Sequence, residues 1–183
     1  MSVKTFIPLI AMLVFHGLAA RAAPSDKPAM PAAVQQAPAA TSVALLKPRP
    51  GLFTAGQPAA SDWSVLASQG VHTVVNLRTA SEMQGRDELA EVRSAGMRYV
   101  EIPIDGIAGI TAENAGKLAA VLHETGDPVL VHCASANRAG GLLALVMAQQ
   151  GMSTEAALEF GRKAGMKSTE SRVREVLEEQ AGK

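Results

Sequence analysis

Cys133 and Arg138 are the two side chains around which chemistry can be built in this chain. They stand in the run Val129-Leu130-Val131-His132-Cys133-Ala134-Ser135-Ala136-Asn137-Arg138-Ala139-Gly140-Gly141. The run reads as a buried strand, a tight loop and the start of a helix. Cys133 is the only cysteine of the chain and sits where the strand ends; Arg138 sits where the helix begins. In such a turn the loop N–H groups point inward as a nest, and the helix dipole adds positive potential. That field favours a thiolate. A guanidinium at the end of the loop can grip two oxygens of an oxyanion at once. The pattern predicts a cysteine nucleophile attacking an anionic group cradled by Ala134, Ser135, Ala136, Asn137 and Arg138. A cysteine after a Val-Leu-Val strand is, on its own, a small buried hydrophobe. His132, Arg138, the small loop residues and the helix start are independent requirements of a site that a mere hydrophobe does not need. His132 is expected to bond the loop backbone and order it.

His132-Cys133, the small-residue loop and Arg138 together resemble the signature loop of the cysteine-dependent protein tyrosine and dual-specificity phosphatases. The wider pattern is similar to one bacterial branch, whose phosphatase-like domain occurs alone or fused to a metallo-β-lactamase-like hydrolase. Its hallmarks follow in order: Phe53-Thr54-Ala55-Gly56-Gln57-Pro58, Val74-Val75-Asn76-Leu77-Arg78, Met97-Arg98-Tyr99-Val100-Glu101-Ile102-Pro103, the cysteine loop, and Gly161-Arg162-Lys163-Ala164-Gly165. The resemblance spans about residues 52–167. It implies an α/β fold, a mostly parallel central sheet flanked by helices, and hydrolysis of a phosphorylated substrate through a phosphocysteine with no cofactor. It also implies a general acid on the loop after the Met97–Ile102 strand, which makes Asp105 the candidate; Glu101 and Asp127 are the alternative carboxylates. Asp105-Gly106 is a turn-forming pair in its own right, and the Gly-containing segment 105–109 is suited to closing over a substrate.

The chain also departs from that pattern. Four residues separate Cys133 from Arg138, where the resembling tyrosine phosphatases have five and rhodanese-type sulfurtransferases have four. Ala139 stands where many phosphatases carry a hydroxyl, and Ala136 where a loop glycine is common. A left-handed alanine costs roughly 1–2 kcal/mol. Two alternatives therefore stay open: a sulfurtransferase carrying a Cys133 persulfide between a sulfur donor and acceptor, and an inactive anion-binding module.

The elements that must position this loop are legible on either side of it. Leu52–Ala55, Val71–Leu77, Met97–Ile102 and Val129–His132 read as strands. Helices are expected from Ser61, as its cap, to Gly70, from Arg86 to Ala95, from the cap Thr111 to about Thr125, from Ala139 to Gln150, from Ser153 to Gly165, and from Ser168 onward. Alternation of this kind implies a largely parallel sheet covered on both faces, with the site at the carboxyl ends of its strands. Trp63 shares a helix face with Leu66 and Ala67 and is assigned to the core. Arg78 emerges at a strand end, where it can contact the anion or pair with Glu82, one helical turn on; the pairing is the favoured expectation.

Residues 1–22 read as a cleaved export signal: Lys4, an apolar run from Phe6 to Ala20, and a small-residue site at Ala20-Arg21-Ala22. The run is too short for a confident span, so no stable membrane association is expected after cleavage. The mature protein is then periplasmic or secreted, where a lone cysteine is either buried or kept for chemistry. Residues 23–47, rich in Ala and Pro, read as a linker, and residues 48–183 as the phosphatase-like domain. The whole chain holds 17 basic and 17 acidic side chains; loss of Lys4 and Arg21 with the signal leaves a net charge of about −2. With no basic block and few aromatics, nucleic-acid binding is not expected. His72 and His123 have no metal-ligand spacing, and no metal is expected.

Overall fold

The computed structural model describes residues 40–126 and 128–182. The expected export signal and most of the expected linker lie outside them, as does Asp127. Five strands, β1 (Leu46–Arg49), β2 (Leu52–Ala55), β3 (Thr73–Asn76), β4 (Arg98–Glu101) and β5 (Val129–His132), form one sheet in the order β1-β2-β5-β3-β4. β1 runs antiparallel to β2, and every other pairing is parallel. The helices are α1 (Asp62–Ser68), α2 (Ala80–Met83), α3 (Glu88–Ser94), α4 (Ala112–Thr125), α5 (Asn137–Gln149), α6 (Thr154–Lys163) and α7 (Glu170–Ala181). Among the described residues, no helix is long and apolar enough to cross a membrane.

Strand alternation sorts the core into two layers. Val129 and Val131 face the layer built with Leu142, Leu145 and Leu158, while Leu130 faces the layer of Trp63, Leu66 and Val92. Trp63 is buried, as its helix face implied. The same alternation carries on past the strand end. His132 turns toward Trp63, with ring centroids 6.0 Å apart, while Cys133 joins the α5 layer. α5 is buried along nearly its whole length. Glycines on α5 and on the facing α6 make that possible: a Cβ on Gly140 would lie 2.2 Å from the Met166 N, and one on Gly161 would lie 2.8 Å from the Ala144 Cβ. The helix that carries Arg138 is thus locked between its neighbours.

Several expectations change. The linker does not reach residue 47: β1 begins at Leu46, Val43 and Leu45 pack on the Trp63 layer, and Ser42 is tied to the domain. Alanine and proline richness hid a short edge strand that the sheet itself stabilises. Ser61 holds the cap position of α1, but its side chain makes no capping bond. Asp62 instead accepts from the Ala59 N and from the N and Oγ of Ser42, at 2.6–2.8 Å. Thr111 and Ser153 do cap α4 and α6. α5 starts at Asn137, two residues early, and the four-residue α2 was too short to carry a periodic signal.

Candidate active site

The loop between β5 and α5 lies at the carboxyl edge of the sheet, against the segment that leaves β2. Gly56 bridges Ser135, and the Gln57 N donates to the Ala134 carbonyl at 3.4 Å. A Cβ on Gly56 would stand 3.0 Å from that carbonyl, so glycine lets the two backbones meet. Ala136 has φ +66° and ψ −9°, a left-handed residue immediately before α5. Its methyl faces Gly165, where a Cβ would lie only 2.6 Å from it. The Gly161–Gly165 motif therefore makes room for the alanine that replaces the common loop glycine. The strain in φ remains, at roughly 1–2 kcal/mol.

Arg138 is 9% exposed and heavily used. Its Nη1 and Nη2 donate to the two carboxylate oxygens of Glu82 at 2.7 and 2.6 Å, and Nη1 also donates to the Ile104 carbonyl at 2.8 Å. This engages the end-on edge of the guanidinium. Its Nε and the second hydrogen of Nη2 form the side edge, which these bonds do not use. The Cys133 sulfur lies within the field and hydrogen-bond reach of the same guanidinium. The hydrogen bond with Glu82, more than any other influence, raises the Arg138 pKa. In return, the Arg138 bonds hold the Glu82 carboxyl down to about 2, against the effect of burial.

Cys133 itself is buried, at 1% exposure. His132 does not bond the loop backbone, contrary to expectation. Strand alternation points its ring under the sheet, where Nε2 meets the Glu88 Oε1 at 2.8 Å with both side chains fully enclosed. The His132 Nδ1 has no partner among the described residues. For Glu88, burial raises the pKa, but the bonds from His132 and Gln57 and the charge of Arg86 outweigh it and leave the carboxyl below its ordinary range.

Two carboxylates thus support the loop from opposite ends. Glu82 was legible only as a partner for Arg78. That pairing exists, with the Arg78 Nε 3.7 Å from the Glu82 Oε1, but Glu82's stronger bonds go to Arg138. Glu88 carried no signal beyond an acid in a first helical turn, which is ordinarily solvated. The Asn76 carboxamide shapes the turn that leaves β3, accepting from the Arg78 N at 2.8 Å.

Asp105 is exposed and shares a cavity of about 490 Å³ with Arg138, Glu82, Thr79, Ser81 and Ile107. Its carbonyl accepts from the Gly109 N at 2.9 Å, which closes the turn at 105–109. Glu101 is engaged by the Tyr99 hydroxyl at 3.0 Å. Four of the five expected cradle residues border two different cavities. Asn137 and Arg138 line the cavity with Asp105, whereas Ser135 and Ala136 line another beside Gly56 and Met166. Asn137 turns its amide to the segment before α7. Its Oδ1 accepts from the Lys167 N at 2.7 Å and its Nδ2 donates to the Ser168 Oγ at 2.8 Å, so it anchors the loop.

A family model described as a DSP-PTPase phosphatase fused to NAD+ kinase matches residues 29–179. The chain belongs to that family. A DUF442 protein of Shewanella putrefaciens CN-32 has the same architecture as this DSP-PTPase chain, with 28% identity and a TM-score of 0.56 over 72% of this chain and 89% of that one. TpbA of P. aeruginosa is 26% identical with a TM-score of 0.53, over 73% and 84% of the two chains. A β-lactamase hydrolase-like protein of Agrobacterium fabrum is 32% identical over 119 residues, 62% of this chain, and the match spans 27% of that relative's length. The DSP-PTPase chain is thus a cysteine-phosphatase type of domain on a mostly parallel sheet, as its loop implied.

Proposed function

We propose that this chain hydrolyses a phosphomonoester, carried by protein phosphotyrosine or by a small molecule, through a phosphocysteine at Cys133. The observation that carries the reading is the divided use of Arg138. Glu82 holds its end-on edge, and the Cys133 sulfur lies within reach of the same guanidinium. The Cys133 thiolate attacks phosphorus while the bond to the leaving oxygen breaks, and Asp105 gives that oxygen its proton. Water then attacks the phosphocysteine and passes a proton to the Asp105 carboxylate. Phosphate leaves and the thiolate is regenerated. Arg138 and the loop N–H groups balance the charge on the phosphoryl oxygens in both steps. Asp105's place in the cavity beside Arg138 supports its role. A cysteine-to-serine form of TpbA has been solved with phosphotyrosine, which makes a phosphotyrosine peptide a first substrate to try.

The four-residue spacing favours one second reading, sulfur transfer through a Cys133 persulfide. Both are tested together, on the whole protein and on Cys133→Ser, with an aryl phosphate and with thiosulfate plus cyanide. The proposal expects phosphate release that falls about a thousandfold or more in Cys133→Ser. Thiocyanate without phosphate release would favour sulfur transfer, and activity on neither would leave an anion-binding module. We also propose export, on the pattern of residues 1–22. Cell fractionation and the N-terminal sequence of the mature protein, expected to begin at Ala23, test it.

A further inference from the structure

We propose that Gln57 is a positioning residue that sets the Arg138 guanidinium against Cys133 by joining the two carboxylate supports of the loop into one frame. Its function rests on the phosphatase reading above; its test does not.

The links are short and continuous. The Gln57 Nε2 donates to the Glu88 Oε2 and also to the Pro58 carbonyl, and its Oε1 accepts from the Arg78 Nη1 at 2.5 Å. A carboxamide is the one uncharged side-chain group with a donor pair on one side and an acceptor on the other. Here its donor meets a carboxylate and its acceptor meets a guanidinium, so the neighbouring charges dictate its orientation. On one side Glu88 bonds His132, the residue before the nucleophile. On the other, Arg78 donates from Nη2 to the Glu82 carbonyl, and the Glu82 carboxylate grips Arg138. The Arg78 Nε is buried with no hydrogen-bond acceptor among the described residues, so the Gln57 and Glu82 contacts decide where that guanidinium lies. The main chain of Gln57 and its neighbour Gly56 rests on the loop at Ala134 and Ser135. One residue therefore touches the loop backbone and, through its side chain, Glu88 directly and Glu82 by way of Arg78. This gives the Gly56-Gln57-Pro58 and Asn76-Leu77-Arg78 motifs a shared role that neither substrate contact nor core packing provides.

Gln57 does not line the Arg138 cavity, so any effect it has on anion affinity must pass through the frame. The probe is tungstate, an oxyanion, titrated calorimetrically into the full chain well below the Tm of each variant. Gln57→Leu and Glu82→Gln are each expected to weaken tungstate binding about tenfold. The double variant should be no more than about twofold weaker than the worse single one, because both act through the same guanidinium. Arg78→Lys, which keeps the charge but loses the fork, should couple to Glu82→Gln in the same way and replaces Gln57→Leu if that variant does not fold. Unchanged tungstate affinity in Gln57→Leu with a lowered Tm would overturn the proposal in favour of a purely structural role. Effects that multiply in the double variant, or a wild type that binds no tungstate, would also overturn it. If the tungstate cycle couples as expected but the protein releases no phosphate from an aryl phosphate, the phosphatase reading falls and the frame stands.

Discussion

The two ends of the Cys133–Arg138 loop are held by the same kind of group in opposite settings. At the strand end, His132 and Glu88 face each other in a fully enclosed space beneath the sheet, beside Trp63. At the helix end, Arg138 and Glu82 meet at the wall of an open cavity, with the Glu82 side chain 30% exposed. A dry pair is an element of the fold, because neither partner can turn to water if the other is lost. A wet pair can give way without such a penalty, so it is suited to aiming a guanidinium at a ligand that comes and goes. The position of Cys133 is thus built into the core, and that of the Arg138 guanidinium is set at the cavity wall.

The largest effect should come from breaking the dry pair. Glu88→Ala leaves a buried imidazole facing an empty acceptor site and is expected to lower unfolding free energy by roughly 3–5 kcal/mol, read from urea midpoints at pH 7. If Glu82→Ala costs as much, the contrast between the two ends is wrong.

The wet pair should show itself through pH. Glu82 is held at about 2 when folded, against an ordinary 4.5. Its contribution to stability is complete above the ordinary value and is lost as pH falls through the folded one. The stability difference between wild type and Glu82→Gln should therefore shrink between about pH 4.5 and pH 2. After screening of a partly exposed pair its size is on the order of 1–3 kcal/mol. A difference that stays flat over that window would mean the pair contributes nothing through its charge.

The smallest effect sharpens the comparison at the joint between the two ends. Ala136→Gly removes a left-handed alanine at φ +66°, and its methyl already sits against Gly165. Relief of φ strain, less the lost methyl contact and the added chain entropy of glycine, should raise stability by up to about 1 kcal/mol. Thermal unfolding checks it, and a loss of stability would show that the methyl packing against Gly165 outweighs the strain.

What could be read from the chain alone was contiguous. The strand, loop and helix of residues 129–149 carry their signals within one stretch, in apolar runs, turn residues and a helix start, so Cys133, Arg138 and the sheet edge they occupy were legible. Capping at Thr111 and Ser153 was equally local. Ala136 was legible as a departure, and the backbone shows its φ to be the left-handed one that a glycine would favour.

Tertiary structure alone decided the supports. Glu82 reaches Arg138 across 56 residues of chain, Glu88 reaches His132 across 44, and Gln57 reaches Glu88 across 31. In sequence an acid near a helix start has the same appearance whether it faces water or a buried histidine. Its surroundings are set by parallel strands whose order, β2-β5-β3, is not their order along the chain. The sheet brings these distant residues to one edge, and period-two alternation then sends His132 down to Glu88 and Cys133 across to α5.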